Sequence, residues 1–352
     1  MNRPGTATIC AVLCCILWWS AERAAAQRHR FRVMEYNVEN LFDTCRAAGN
    51  GDLDFLPGAE RKWNSGKYWR KLDRLCRTIA AAGGDAPAAL VGLCEVENDS
   101  VLRDLTQRTL LRRLGYQYVI THSLDSRGMN VALLYQPELF LPIARDSLRI
   151  PYDARNERPT RDILHVAGEL QTGDTLDVFV CHFPSRRGGS ALTAAYRRRA
   201  ACRLRRTVDS LALCRQKPAM LIMGDFNDEP NDRSLREALE ADYPPDDAAG
   251  TDCRPEQLYI LSARLKAPGG VAGTYKFRGR WNRLDQIMVN GPLLSPEAPL
   301  RTSEADCRIF APSFLTEPDP TNGGVKVRRT YLGPAYHGGV SDHLPLVLDL
   351  WW

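Results

Sequence analysis

Residues 219–228 read AMLIMGDFND, and this stretch decides the class of fold. The apolar run 219–223 predicts a buried strand, since a half-exposed strand would alternate apolar with polar residues. Polar side chains follow directly, at Asp225, Asn227 and Asp228. Acidic and amide groups placed just beyond buried strands converge on one edge of an α/β sheet. The alternative is a simple turn, in which Asp225 and Asn227 bond only the local backbone.

The same arrangement of an apolar run beside a polar cluster recurs at four other places. The further clusters are 37–40 (NVEN), 95–98 (EVEN), His182 and 341–343 (SDH). Each has an unremarkable reading: Glu95 as a solvated residue, His182 as a packed histidine, and Ser341 with Asp342 as a local cap. Five polar clusters, each beside an apolar run, would rarely occur in one chain by chance. Together they indicate one polar site.

Short apolar runs and helical periodicity describe the rest of the chain. Buried strands are predicted at 31–36, 89–94, 131–135, 176–181, 219–223, 284–289 and 344–350, and helices at 68–82, 101–114, 191–213 and 232–239. Apolar side chains recur three and four residues apart in the helical segments. We find no glycine/serine linker, internal repeat or low-complexity segment, so residues 27–352 are predicted to form a single α/β domain.

The N-terminal segment 1–26 is predicted to be a secretory signal peptide. Arg3 precedes an apolar run of about eleven residues, and small residues at 24–26 resemble a cleavage site. The run is shorter than the roughly 20 residues of a membrane span, although a short anchor is the alternative. We therefore expect a secreted or periplasmic protein. The formal net charge of +5 is only mildly basic and tolerates an anionic substrate without requiring one.

Eight of the eleven cysteines lie beyond residue 26, and an even number in an exported protein permits disulfides. The sequence assigns no pairing, and it has no CxxC pair of the kind that binds zinc. Cys94 and Cys181 each lie in an apolar run and precede Glu95 and His182. We predict that both thiols are reduced and buried, facing away from the site because side chains alternate along a strand.

Asp, Glu and Asn oxygens are ligands that suit a hard cation such as Mg²⁺ or Mn²⁺. Phosphoryl transfer needs a positioned nucleophile and charge stabilisation, and such a cation supplies both. Histidine adds a group that exchanges a proton near neutral pH. The clusters therefore predict metal-assisted hydrolysis of a phosphate ester.

The GDFN and terminal SDH motifs, with Glu95 upstream, resemble the endonuclease/exonuclease/phosphatase superfamily, in the form of a secreted bacterial-type member. This superfamily includes pancreatic-type deoxyribonucleases, abasic-site endonucleases, bacterial sphingomyelinases and inositol-polyphosphate phosphatases. The motifs extend from Asn37 to His343 and cover nearly the whole mature chain. The resemblance implies an α/β, four-layer sandwich of two mixed β-sheets flanked by helices, the deoxyribonuclease-I-like fold. It also implies that Asn37, Glu95 and Asp342 lie on the metal side, with Glu95 as the principal ligand.

The catalytic roles also come from the resemblance. It implies that His182 contacts the scissile phosphate and that Asp225 orients or deprotonates the attacking water. Asn227 would support the transition state and His343 would act as acid or base. Asp285, in a WNRLD segment at 281–285, would orient His343.

Three arginines are candidates for substrate binding: Arg127, Arg186 and Arg197. Arg127 precedes the strand 131–135 and is proposed for the phosphate-binding position that the family carries on its middle strands. Arg186 lies in the loop after His182. Arg197 lies one turn before Ala201, on the apolar face of the helix 191–213. It is expected to point inward and pair with a carboxylate or with the 185–189 backbone; exposure on a later-starting helix is the alternative.

The sequence therefore predicts an exported, divalent-metal-dependent phosphodiesterase, a nuclease that cleaves phosphodiester bonds by metal-assisted water attack. The alternative enzyme is a phosphatase or phospholipase C acting on inositol phosphates or sphingolipid, because the shared residues handle phosphate and not the rest of the substrate. A catalytically silent binding protein would have lost His182, Asp225 or His343, and all three are present. The expected partner is a nucleic acid substrate. No stable protein partner is implied, and a monomer is expected.

Overall fold

The computed structural model describes residues 29–45, 53–153, 155, 157–246 and 254–352. The predicted signal segment 1–26 lies outside these residues, as does Cys253. None of the helices in the described ranges is long and apolar enough to cross a membrane.

Nineteen strands account for most of the regular structure in the described residues. In chain order they are β1 (Arg30–Leu41), β2 (Leu90–Val96), β3 (Gln117–Ile120), β4 (Asn130–Tyr135), β5 (Phe140–Leu148), β6 (Ile163–Leu170), β7 (Thr175–His182), β8 (Met220–Asp225), β9 (Ala241–Asp242), β10 (Leu258–Ile260), β11 (Tyr275–Phe277), β12 (Arg280–Asn282), β13 (Asp285–Asn290), β14 (Cys307–Ile309), β15 (Thr316–Pro318), β16 (Val325–Val327), β17 (Tyr331–Leu332), β18 (Ala335–Tyr336) and β19 (Leu346–Trp351). All seven predicted strands are among them, each shifted by at most a few residues at its ends.

The first large sheet has six strands in the order β14-β19-β1-β2-β4-β3. Strand β1 pairs in parallel with β2 and antiparallel with β19, so the sheet is mixed. The last strand of the chain therefore lies inside this sheet, between β14 and the first strand.

The second large sheet has seven strands in the order β5-β6-β7-β8-β13-β10-β9. Strands β7 and β8 run parallel, and β13 pairs antiparallel with β8. In this register His182 lies opposite Asp225, and Asp225 lies opposite Asp285. Three predicted site residues thus form one row across adjacent strand ends. Six further strands form two-stranded hairpins: β11–β12, β15–β16 and β17–β18.

The two large sheets pack face to face. On β8, Leu221 and Met223 face the core between the sheets, while Met220 and Ile222 face the opposite layer. Gly92 of β2 shows how closely the sheets approach, because a Cβ atom there would lie 2.8 Å from the Met223 sulfur. Because β8 is buried on both faces, its sequence from 220 to 223 is a continuous run of apolar residues.

Helices cover the outer faces of the two sheets. Helix α1 (Ser65–Gly83) packs Leu72, Leu75 and Ile79 into the core of the first sheet, and the Asn64 side chain caps its start by accepting from the Lys67 amide. Helix α3 (Ser190–Cys214) packs on the second sheet. The architecture is the predicted α/β, four-layer sandwich of two mixed sheets flanked by helices.

The predicted helix 101–114 is not continuous. A short α-helix, α2 (Asp99–Arg103), passes into a π turn (Asp104–Arg108) and then a 3₁₀ turn (Leu110–Leu114). The Thr106 and Thr109 hydroxyls donate to carbonyls four residues earlier, at 2.8 and 2.6 Å, a contact that bends helices. The predicted helix 232–239 is likewise a π turn, Ser234–Ala238.

The seven described cysteines are all free thiols. Cys94 and Cys181 are fully buried, as predicted. The predicted orientation is right for Cys181, which packs in the core beneath α3. It is wrong for Cys94, whose sulfur lies 3.1 Å from the Cys181 carbonyl oxygen and so points between the sheets. Glu95 has a φ of +67°, and this bulge in β2 interrupts the alternation of side chains.

Candidate active site

The site lies at the ends of β7, β8 and β13, where His182, Asp225 and Asp285 stand side by side. Gly224 allows this row to form. Its φ is +142°, and a Cβ atom there would lie only 1.9 Å from the Cys181 carbonyl oxygen. A residue with a side chain would force β7 and β8 apart at the catalytic edge.

His343 completes the site from the opposite sheet. Its Nδ1 lies 2.7 Å from Oδ2 of Asp285, and the Thr274 hydroxyl donates to the same oxygen. The Tyr275 ring packs against the imidazole with centroids 4.9 Å apart. Burial acts to lower the pKa of His343, but the charge and hydrogen bond of Asp285 outweigh it and raise the pKa well above its usual value. Asp285 therefore favours the imidazolium form of His343.

His182 has the opposite character. Burial, with the nearby positive charge of Arg161, holds the pKa of His182 well below its usual value. Its Nε2 lies 3.8 Å from Oε1 of Glu95 and 3.7 Å from Oδ2 of Asp225, beyond hydrogen-bonding distance. Nδ1 has no hydrogen-bond partner among the described residues. The site thus pairs a neutral histidine with a charged one.

Asp225 is held by two hydrogen bonds. The Asn227 amide N–H donates to Oδ1 at 2.8 Å, and the Asn37 side-chain amide donates to Oδ2 at 3.0 Å. Asn227 has a φ of +51°, a left-handed conformation that asparagine tolerates, and its side chain bonds the Phe183 carbonyl. Burial and the adjacent Asp285 charge raise the pKa of Asp225 to about 7. This carboxylate can therefore take up a proton near neutral pH.

Glu95 stands on the bulge of β2, beside a matching irregularity in β1. Its Oε2 accepts from the Asn40 amide N–H at 2.8 Å, and its Oε1 lies 3.4 Å from the Asn37 side-chain nitrogen. Glu39 and Asn40 both have positive φ, at 49° and 52°. Such conformations are uncommon outside glycine and concentrate at functional sites.

Asp342 lies next to His343 and forms an ion pair with Arg329. Nearby, Glu39 accepts from the Thr330 amide at 2.6 Å, and buried Lys71 bonds both the Glu39 carbonyl and the Thr330 hydroxyl, the latter at 2.9 Å. Burial and the Asp342 charge raise the pKa of Glu39 to about 7. Negative charge is therefore concentrated on this side of the site.

The donor set on this side fits a hard divalent cation. Glu95 and Asp342 offer charged oxygens, and the pKa of Glu39 is raised by burial first and by the Asp342 charge second, so a bound cation would favour the ionised form of Glu39. Asn37 fits less well than predicted. Its Oδ1 accepts from the Glu39 amide at 3.0 Å, so its NH₂ group faces Glu95 and Asp225. A metal ligand must present oxygen, and Asn37 as placed orients the two carboxylates instead.

A second group of donor atoms, on Asp225, Asp285 and His343, lies within 4.8 Å of one another. These residues suit proton transfer better than metal binding. Nδ1 of His343 is already bonded to Asp285, which orients the ring for exchange of a proton at Nε2.

The predicted substrate-binding arginines are placed differently from one another. Arg197 is 1% exposed, and its Nε lies 2.7 Å from Oδ1 of Asp228, while its other nitrogens bond the Ser190 carbonyl and the Thr193 hydroxyl. It points inward as expected. Arg186 bonds the Asn227 carbonyl at 2.6 Å and Asp232 at 2.7 Å. These contacts favour a positioning role for both residues over direct contact with substrate.

Arg127 is the one of the three that lines an open pocket beside the site. It donates to Oδ1 of Asn40 at 2.6 Å. Since the Asn40 backbone binds Glu95, Arg127 is linked to the metal side of the site through one residue.

Several neighbours of the site were not predicted. They are Glu35, Lys71, Thr274, Tyr275 and Arg329. Glu35 is fully buried on β1, and neither of its oxygens has a partner among the described residues. The only sequence signal was an acidic residue in the run 31–36, which also contains Arg32. Asp228 belongs to the GDFND motif and pairs with both Arg186 and Arg197, a role that was not predicted.

Solved structures similar to this chain share its fold. A family protein described as endonuclease/exonuclease/phosphatase from Bacteroides thetaiotaomicron is 17% identical, with a TM-score of 0.55, over 93% of this chain and 99% of that one. The mannosyl-6-phosphatase of the same organism is 17% identical, with a TM-score of 0.54, over 91% and 99%. The human Nocturnin catalytic domain with bound sulfate is 19% identical, with a TM-score of 0.53, over 92% and 97%.

No curated protein sequence shows significant similarity to this chain. A family model does match it, however, over residues 32–351, a range that includes every site residue described above. The chain therefore belongs to the endonuclease/exonuclease/phosphatase family, whose members are hydrolases that act on phosphate esters.

Proposed function

We propose that this protein is a divalent-metal-dependent phosphodiesterase of the nuclease type. The observation that carries the proposal is the opposition of His343, which Asp285 holds through a 2.7 Å contact, to the carboxylates of Asp225 and Glu95. One side of the site can donate a proton and the other can accept one. That is the arrangement needed for water attack on a phosphorus atom with departure of an alcohol.

Each residue has a proposed role in that reaction. Glu95 and Asp342 hold the cation, Mg²⁺ or Mn²⁺, with Asn37 orienting Glu95. The bound cation supplies positive charge that stabilises the negative phosphate oxygens.

The protein side chains handle the protons and the orientation of substrate. Asp225, held by Asn227 and Asn37, orients the attacking water and accepts its proton. His343 donates a hydrogen bond to the phosphate and a proton to the leaving oxygen, while Asp285 keeps its ring oriented and charged. Neutral His182 donates a hydrogen bond to a phosphate oxygen. Asn227 adds an amide beside the same group.

A substrate panel tests the proposal. Plasmid DNA, RNA, sphingomyelin and inositol phosphates are each incubated with Mg²⁺, with Mn²⁺ and with a chelator. We expect cleavage of a nucleic acid that chelation abolishes and added cation restores. Turnover of only sphingomyelin or an inositol phosphate would support the alternative phospholipase C or phosphatase. Full turnover after exhaustive chelation would contradict the metal mechanism.

Three substitutions assign the residues. His343→Ala and Asp225→Asn should each lower the rate by ~10²-fold or more while the protein stays folded. Glu95→Gln replaces a charged oxygen with an amide and should raise the cation concentration required for half-maximal rate by about tenfold or more. A loss below about fivefold would remove the substituted residue from the mechanism.

The proposal also includes export by the segment 1–26 and a monomeric enzyme. Cell fractionation with N-terminal sequencing of the recovered protein tests the first. Light scattering of the purified protein tests the second.

A further inference from the structure

A pocket of about 370 Å³ opens beside the catalytic centre, between the loop that carries Arg127 and the start of α3. Five arginines line it: Arg127, Arg158, Arg161, Arg187 and Arg199. Only two carboxylates, Asp125 and Glu157, do so. We refer to this cavity as the arginine pocket.

The arginine pocket shares a wall with the catalytic centre. Arg161 donates to the Phe183 carbonyl at 2.8 Å, directly after His182 in the chain. On the other side, Arg127 bonds Asn40, whose amide N–H binds Glu95. One ligand molecule could therefore place a phosphate at His182 and Glu95 and a second group in the arginine pocket.

The positive charge of the pocket is only partly compensated. Asp125 pairs with Arg161 at 3.3 Å, and Glu157 pairs with Arg199 at 2.8 Å. Arg158 and Arg187 are exposed and form no ion pair with any described carboxylate. Two guanidinium groups on the rim thus remain available to an anion, which an arginine can bind through two parallel hydrogen bonds.

The inner wall holds polar atoms that lack partners. Arg161 is 8% exposed, and its Nε has no hydrogen-bond partner within the described ranges. The Thr160 hydroxyl, also on the wall, is buried and equally unpartnered. Buried polar groups of this kind are costly unless something satisfies them.

We propose that the arginine pocket binds a second phosphate group of the substrate, so that the enzyme favours esters carrying another phosphate near the one it hydrolyses. The volume is at the small end of the range for ligand sites and suits a phosphate with part of the group that bears it. This inference rests on the proposed function. The second phosphate can come from the next nucleotide of a polymer or from a bisphosphorylated small molecule.

The double variant Arg158→Ala/Arg187→Ala tests the proposal. Its matched control is Arg112→Ala/Arg113→Ala, which removes two exposed arginines of the Leu110–Leu114 turn. Two substrate pairs are compared: a dinucleotide with and without a 5′-phosphate, and a sugar bisphosphate with the matching monophosphate. In at least one pair, the wild-type enzyme should have a lower KM for the more phosphorylated member.

We expect the pocket variant to raise the KM for that member by about tenfold, with kcat changed by less than about twofold. The KM for the less phosphorylated member should not change, and the control should behave as wild type. The responding pair identifies the source of the phosphate. An equal effect on both members, or none, would overturn the proposal.

A binding measurement separates this idea from the proposed function. Calorimetry with inorganic pyrophosphate, in a chelator, should show binding by the wild type and by the control that weakens by about tenfold in the pocket variant. Because the pocket variant leaves the catalytic residues intact, any binding of the anion at the catalytic centre should be equal in all three proteins. Absence of binding by the wild type would overturn the pocket proposal whether or not the enzyme is active. Binding without turnover of any phosphate ester would instead overturn the proposed function alone.

Discussion

The two histidines of the site show how neighbours set the charge of identical side chains. Both are buried, and burial alone favours the neutral ring. His343 stays charged because Asp285 bonds it at 2.7 Å, whereas His182 has Arg161 and Arg127 among its electrostatic neighbours and becomes neutral. One fold thereby obtains a proton donor and a neutral hydrogen-bond donor from the same residue type.

Asp285→Asn tests this account. Loss of the carboxylate charge and of its hydrogen bond should lower the pKa of His343. The activity attributed to the protonated ring should then be lost at lower pH, so the alkaline limb of the kcat profile should move toward acid. The rate loss at the optimum should be smaller than that of His343→Ala. Exposed Asp73→Asn on α1 is the control, and an unshifted limb would contradict the positioning role.

Glu35 offers a prediction about stability. Burial, with the charges of Asp285 and Asp225, raises the pKa of this carboxyl well above 4.5. The folded state therefore holds the Glu35 proton more tightly than the unfolded chain does. Its contribution to stability is full below the unfolded pKa and is lost as pH rises toward the folded pKa.

Glu35→Gln should remove that loss. Measured by thermal denaturation in a chelator, the stability difference between the two proteins should move in favour of the variant as the pH is raised from about 5 to about 8. A difference between the two proteins that stays constant over this range would show that Glu35 ionises without penalty.

At the scale of elements, the sequence predicted the central strands well and the peripheral ones poorly. Strands β7, β8 and β13 are buried on both faces, so their runs were continuous and unambiguous. Strand β5 is exposed along most of its length, and its sequence FLPIARDSL carries no clear pattern. The hairpins are only two or three residues per strand, too short for periodicity to register.

The site residues also fall into a predictable group at the ends of buried strands and an unpredictable group elsewhere. Residues at the ends of buried strands could be found, because an apolar run marks the position of the polar group that follows. Lys71, Thr274 and Arg329 could not, since they reach the site from a helix and from loops that only the tertiary fold brings near. Orientation was also beyond the sequence, as the bulge that turns Cys94 toward the second sheet shows.

Helix α3 carries a prediction of its own. Arg197 joins its first turns to the segment after Asp225 through the buried pair with Asp228. Arg197→Ala would remove the closer of the two arginines that pair with Asp228, leaving Arg186 and the Ser234 hydroxyl as partners, and should lower the free energy of unfolding by about 1–3 kcal/mol. Urea denaturation measures this, with exposed Arg206→Ala on the same helix as the control. Equal stability of the two variants would show that the pair is dispensable.

At the scale of the whole molecule, the two-sheet core buries some cysteines and leaves others exposed. Their reactivity therefore distinguishes the folded protein from the unfolded one. Cys76, Cys94, Cys181 and Cys307 are buried, whereas Cys45, Cys202 and Cys214 are exposed. The described thiols form no disulfide with one another, so cohesion comes from packing between layers.

A thiol reagent applied without reductant should therefore modify Cys45, Cys202 and Cys214 in the native protein. It should reach the four buried cysteines only after unfolding. Peptide mass spectrometry locates the label. A disulfide at Cys94 or Cys181, or rapid native labelling of either, would contradict the packing described here.

The position of β19 between β14 and β1 has a consequence for synthesis of the protein. Asn37 leaves the ribosome early, whereas His343 comes about 300 residues later, and the strand that follows it must enter the middle of a sheet begun by the first strand. A nascent fragment that stops before β19 lacks both His343 and the strand that holds it in the sheet, or lacks that strand alone. We therefore expect a chain truncated before β19 to be inert.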